Sequence, residues 1–237
     1  DENELKEYLE EYSNSHPHLE YVLLVGDVTG NFCAIPTHII ISYNDDEHPQ
    51  DQTDYPYTFF SEDEMYNPQF FIGRWSVADE GELLSIIART IAYSRLLHPL
   101  SDTPLDTEYL NKALLVAGNF SDSGVPIFTP VWTSQWLKDK LNISGYSDID
   151  EFYYTADNPD RFQTDQIQNS WENGVGIINY RGWGDAQGWK YPIFLKEDIT
   201  GLNATWQLPV VMSFVCNSGD FGNEQHEVCF GEKMIKE

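Results

Sequence analysis

Apolar residues along this chain fall into short runs separated by acidic, glycine-rich or proline-rich breaks. Tyr21–Val25 is a continuous apolar run closed by Gly26-Asp27, the pattern of a buried strand. Phe70–Arg74, Ala113–Ala117, Phe152–Tyr154, Val175–Tyr180 and Leu208–Val215 read the same way, with His38–Ser42 as a further strand. Between these runs the period changes. Leu83, Leu84, Ile87 and Ile91 recur at helical spacing behind a cap at Asp79, which predicts a helix to about His98. Helices are also predicted over Leu5–Tyr12, Thr133–Leu141, Asp160–Glu172 and from near Val228 onward, while Thr53–Tyr57 and Ser61–Glu64 read as irregular. Strands and helices alternate, and the long crossovers imply an α/β fold with mostly parallel pairing and helices on both faces. The 99–106 loop is the one break suited to a boundary. The expected organisation is a single domain over 1–237, with 1–98 and 107–237 as its halves.

Composition narrows the partners. Thirteen basic residues stand against 39 acidic ones, a formal net charge of −26. Nucleic acids and anionic membranes are recognised through basic surface, so neither is expected as a partner. A secreted or surface protein, or one that binds cations, fits this balance. No apolar run is long enough to span a membrane. The three cysteines, Cys33, Cys216 and Cys229, are an odd number, so at least one thiol is free and no disulfide scaffold is present. The chain opens and closes on helical sequence, as a piece of a longer polypeptide with other domains would.

Cys216 carries the sharpest chemistry. It ends the buried run Leu208–Val215 and begins the turn-rich stretch Asn217-Ser218-Gly219-Asp220-Phe221. An α/β enzyme places a nucleophile at the C-terminal mouth of a buried strand. A second turn, Tyr180-Arg181-Gly182-Trp183-Gly184-Asp185, closes another apolar strand, with Trp183 standing 33 residues before Cys216. A buried inert thiol is the bland alternative for any free cysteine, and is the expectation for Cys33 and Cys229. Trp183, Asp185 and Trp189 share one glycine-rich loop. Its aromatics are suited either to stacking on a peptide or sugar or to filling a former active site.

The two strand-end turns resemble the catalytic segments of the gingipain family of cysteine peptidases (peptidase family C25). Further segments resemble that family in order: Tyr21–Asp27, Thr53–Tyr57, Ile72-Gly73-Arg74, Tyr109–Gly118 and Cys229-Phe230-Gly231-Glu232. The resemblance implies a caspase-like α/β domain, C-terminally truncated, that acts on peptide or protein substrates in a secreted or cell-surface setting. It puts Cys216 in the place of the nucleophile and Trp183 in the place of the histidine in a Tyr-x-Gly-His-Gly pattern. The acid that orients that histidine would fall near Phe120, with Asp122 two residues beyond. Indole neither accepts a proton nor carries positive charge, so Trp183 cannot serve as the base. His226 is the histidine nearest to Cys216 in sequence. Two readings stay open: a cysteine peptidase impaired at its base, and a pseudo-peptidase serving as a binding or structural module.

The resemblance also implies calcium. Asp27, Glu62 and Glu64 match side-chain ligand positions, Tyr66 offers a backbone carbonyl, and Gln69 stands where a carboxylate is usual. Calcium takes six to eight oxygen ligands, and three carboxylates from separate segments repel one another without a cation. A solvated acidic loop is the alternative. No Cys/His pattern suggests zinc.

Overall fold

A computed structural model describes residues 1–30, 33–41, 50–120, 128–157, 161–203, 205–222 and 227–237. The chain divides into two compact units, Asp1–Leu84 with Asp220–Val228, and Ser85–Gly219 with Cys229–Glu237.

The first unit opens with helix α1 (Glu2–Ser15). Asp1 caps it: its carboxylate accepts from the Asn3 and Glu4 amides at 2.9 and 3.0 Å, so donors that a helix start leaves unpaired are satisfied. Strands β1 (Tyr21–Val25), β2 (His38–Ile41), β3 (Gln50–Thr53) and β4 (Phe71–Trp75) follow. β1 and β4 pair in parallel and β2 and β3 antiparallel. Leu9 of α1 packs with Leu24, Tyr57 and Phe70 in the core of this unit. Thr53–Tyr57, irregular by sequence, supplies Asp54. That carboxylate takes a two-pronged ion pair from Arg74 at 2.7 and 2.8 Å, and the same guanidinium donates to the carbonyls of Gly26, Ile35 and Pro36. Helix α2 (Glu80–Arg95) starts as expected, with the Asp79 carboxylate accepting the Glu82 amide at 2.9 Å.

The second unit is built on β5 (Lys112–Ala117). Helix α3 (Thr129–Ile143), β6 (Asp148–Tyr153), α4 (Phe162–Glu172) and β7 (Ile177–Arg181) come next. Three short strands, β8 (Gly184–Asp185), β9 (Gly188–Lys190) and β10 (Ile193–Leu195), lead to α5 (Lys196–Thr200), β11 (Val210–Phe214) and α6 (Phe230–Lys236). The main sheet has the order β11-β7-β5-β6 and every pair in it is parallel. Successive β5 side chains point to opposite faces. Ala113 and Leu115 pack with Leu137 and Leu141 of α3, whereas Leu114 and Val116 pack with Ile167 and Trp171 of α4. The expected parallel sheet with helices on both faces is therefore present. β8, β9 and β10 form a small antiparallel sheet where the sequence suggested a flexible glycine-rich loop.

Candidate functional site

The register of β7 on β11 aligns Arg181 with Phe214. Trp183 and Cys216 each lie two residues beyond that aligned pair, so the two turns singled out by sequence leave neighbouring parallel strands at the same level. Cys216 is exposed, and Asn217 beyond it adopts a left-handed backbone (φ 51°) that bends the chain sharply out of β11. Ser218 is buried, and its carbonyl accepts the Gly231 amide at 2.7 Å, which ties the turn to the start of α6. The apolar run expected to be a fully buried strand forms instead the edge strand β11, with Val210 and Phe214 exposed and the residues between them half-buried. The exposed Cys216 thiol beyond its end has the access that nucleophilic attack requires.

The Trp183 turn is held tightly from below. The Tyr180 hydroxyl donates to the Trp183 carbonyl at 2.7 Å, and the Lys190 amide donates to the same oxygen at 3.1 Å. A side chain on Gly182 would stand 2.7 Å from the Gly118 Cα and 2.5 Å from the Tyr180 hydroxyl, so close backbone approach at these strand ends requires glycine. The Trp183 ring is 39% exposed and stacks on Tyr191, with centroids 5.7 Å apart. It does not fill a buried cavity.

Trp189 corrects the sequence reading. It is fully buried, stacks on Tyr180 at 4.3 Å, and its indole donates to the Ser213 hydroxyl at 3.0 Å. It is a core residue beneath the turn and is not presented to a ligand. Asp185 is held by an ion pair to Lys190 at 2.9 Å and accepts the Gln187 amide, so it shapes the β8–β9 connection.

The other thiols divide unexpectedly. Cys33, expected to be buried, is exposed, with a left-handed backbone at φ 48°. Cys229 is buried as expected. Burial pushes its thiol up to about 12, and the neighbouring Glu232 carboxylate adds to the shift. It packs in the core at the start of α6. Asp122 and His226 lie outside the described residues.

The calcium expectation falls wholly within the first unit. Glu62 and Glu64 lie on one short 3-10 turn, and Tyr66 and Gln69 are exposed just beyond it. The Asp27 Oδ1 accepts the Val28 amide at 2.7 Å and the Ser76 hydroxyl at 3.1 Å. Among the described residues, no three His, Cys, Asp or Glu side chains are grouped so as to hold a metal ion.

Sequence reasoning assigned no part to two residues beside the turns, Tyr191 and Arg181, nor to an ion pair inside the first unit. Tyr191 stacks on Trp183, Asp54 and Arg74 pair across the first unit, and Arg181 lies at the level of the two turns. Asp54 and Arg74 lay within segments already noted, and their opposite charges in an otherwise apolar setting were the available signal.

Parallel strands with helices on both faces, and an exposed cysteine at a strand mouth, define a caspase-like α/β domain of cysteine-peptidase type. The chain belongs to peptidase family C25, whose family model matches residues 1–237. It is 27% identical over 231 residues to gingipain R2 of Porphyromonas gingivalis, covering 96% of this chain and 27% of that protein. Gingipain R1 of the same organism is likewise 27% identical over 231 residues, here covering 20% of the relative. A crystal structure of the Arg-specific cysteine proteinase gingipain R superposes with a TM-score of 0.78 at 25% identity, covering 99% of this chain and 49% of that one. A complex of Porphyromonas gingivalis gingipain pro- and mature domains gives 0.77 at 25% identity, covering 99% of this chain and 50% of that one. The chain thus spans about a quarter of the first curated relative and half of the solved structures. Among the described residues, no helix is long and apolar enough to cross a membrane.

Proposed function

We propose that this chain is a peptide-recognising C25 domain in which Cys216 is the nucleophile and Trp183 occupies the place of the general base, so that peptide hydrolysis is weak or absent. The observation that carries this reading is the matched offset of Trp183 and Cys216 from the aligned pair Arg181 and Phe214. In the family reaction, the cysteine Sγ attacks a peptide carbonyl carbon, and a histidine takes the thiol proton and returns it to the departing amine. An indole N–H donates and cannot accept, so neither transfer has an agent here. Loss of general acid–base catalysis costs roughly 10²–10⁴-fold in rate. The second reading, a pseudo-peptidase that binds without turnover as a module of a larger protein, draws support from the exposed Trp183 ring stacked on Tyr191. Export to a secreted or cell-surface setting, and further domains on a longer polypeptide, belong to the same proposal.

A thiol-directed peptide probe tests it, in a Cys33→Ser background because Cys33 is also exposed. Labelling at neutral pH is expected to be slow and to vanish with Cys216→Ala. Trp183→His is expected to raise the labelling rate by about 10²-fold or more. Wild-type labelling as fast as that of Trp183→His would overturn the proposal.

Calcium is a second proposal, on the acidic segment of the first unit. Asp27, Glu62 and Glu64, with the Tyr66 carbonyl and Gln69, supply hard oxygen donors, and a bound ion would have to gather them. Binding is expected to raise Tm by several degrees at millimolar calcium, through linkage to the folded state. A Tm that responds to neither calcium nor chelator would overturn it.

A further inference from the structure

Five arginines occur in this chain, and they are not equally engaged. Arg74 and Arg161 pair with the carboxylates of Asp54 and Asp198, and Arg89 donates to the Ile235 and Lys236 carbonyls at the end of α6. Arg95 is exposed in the last turn of α2, where a cation complements the helix end. Arg181 differs: it is half-buried, yet among the described residues no carboxylate or carbonyl accepts from its guanidinium. With 39 acidic residues against 13 basic ones, a counter-charge is the easiest partner for this chain to supply. With no internal acceptor among the described residues, the planar guanidinium fork of Arg181 stays available to an acceptor that a ligand supplies.

The position of Arg181 indicates which ligand. It ends β7, in register with Ala117 of β5 on one side and Phe214 of β11 on the other. The chain leaves β5 for α3 on one face of the sheet and leaves β7 for Trp189 and the small sheet on the opposite face. The ends of β5 and β7 therefore flank a topological switch point, where open α/β sheets bind their ligands. Ile177 packs on the α3 face, and by strand alternation Arg181, four residues on, belongs to that same face. Its registered neighbour Phe214 is 55% exposed. Strand geometry places the Arg181 Cα on the order of 8 Å from that of Cys216.

We propose that Arg181 recognises a carboxylate of the peptide presented to Cys216. The carboxylate belongs either to an aspartate or glutamate side chain or to the peptide's C-terminus. A guanidinium presents a planar fork that matches a carboxylate with two parallel hydrogen bonds, which a lysine cannot reproduce. The net charge of the chain repels an acidic peptide at long range. Screening over about 8 Å at physiological salt leaves the local contact to decide. The inference rests on the peptide-recognising reading above, and deepens it by assigning a specificity residue.

The test is fluorescence anisotropy at about 0.15 M salt on the Cys216→Ala chain, which removes any acylation. Four short labelled peptides are compared: one with an internal glutamate and capped ends, one neutral with a free C-terminus, one neutral and capped, and one basic and capped. A carboxylate-bearing peptide is expected to bind at least about tenfold tighter than the neutral and basic capped peptides. Whichever carboxylate-bearing peptide shows the preference identifies the source of the group. Arg181→Gln is expected to abolish the preference, Arg181→Lys to keep part of it, and Arg181→Glu to transfer it to the basic peptide. The Tm of Arg181→Gln is expected to stay unchanged, since no partner among the described residues is lost. Equal binding of all four peptides, or a carboxylate preference that survives Arg181→Gln, would overturn the role of Arg181 and leave peptide recognition standing. No binding of any peptide would overturn both.

Discussion

Arg74 directs its guanidinium donors inside the first unit, two to Asp54 and the rest to three backbone carbonyls. The Thr37 hydroxyl donates a further bond to the same Asp54 carboxylate at 2.9 Å. Both charged side chains are almost wholly removed from water, at 4% and 10% exposure. Such a pair is costly to bury and costlier to break, because removing one partner leaves the other charged and unsatisfied. Asp54→Ala is therefore expected to lower the unfolding free energy by about 3–5 kcal/mol in urea titration. A double replacement by apolar residues of similar volume should cost far less. A loss below about 1 kcal/mol for Asp54→Ala would mean that water reaches the guanidinium. The pair also explains why two short segments, Thr53–Tyr57 and Ile72–Arg74, stood out in the sequence: each contributes one half of it.

At the scale of elements, the connection from β7 to β11 is where backbone conformation decides most. Gly188 has φ +140°, and a side chain there would collide with the Phe194 carbonyl on the adjacent β10. Gly188→Ala is expected to destabilise the β8–β9–β10 sheet by roughly 1–3 kcal/mol or more, since it combines backbone strain with a collision. Tryptophan fluorescence checks this, because Trp189 beneath the sheet would become solvated and its emission would shift to the red. Unchanged emission and unchanged Tm would refute it. This connection was also the least legible part of the sequence. β1 was read to the residue, since a continuous apolar run between turn residues admits little else. β8 and β9 are two and three residues long and rich in glycine, so no period develops. What makes them strands is the burial of Trp189 against Tyr180 and Ser213, contacts distant in sequence. β3, Gln50–Thr53, is polar throughout and was missed for the same reason. Only the end of β6 was read, because its first residues alternate Asp148 and Asp150 with apolar neighbours at the sheet edge. The site followed the same rule. The turns of Cys216 and Trp183 are visible because continuous apolar runs lead into them, whereas Arg181 is informative only because, among the described residues, its guanidinium has no acceptor.

For the whole molecule, titration ties burial to stability. Burial pushes the Tyr57 hydroxyl up to about 12 and the Cys229 thiol up to about 12. It also raises Tyr180, and raises Tyr153 with a further contribution from its hydrogen bond to Glu151. Each group loses its proton more readily in the unfolded chain than in the folded one. Below the unfolded values, about 8.5 for cysteine and 10 for tyrosine, both states are protonated and no stability is lost. Above them the unfolded state binds fewer protons, so stability falls as pH rises towards the folded values. Each group then contributes a loss of about 1.4 kcal/mol per pH unit. The formal charge of −26 acts in the same direction, since every further ionisation adds to self-repulsion. Tm is therefore expected to fall steeply from about pH 9 to 11, with Cys229 responsible for its first part and the tyrosines for the remainder. Cys229→Ala separates the two: it should flatten the curve between about pH 9 and 10 while leaving the decline above pH 10 in place. A Tm that holds steady across the whole interval would show that these groups ionise in the folded chain at ordinary values, and that the cores containing Tyr57 and Tyr180 admit water.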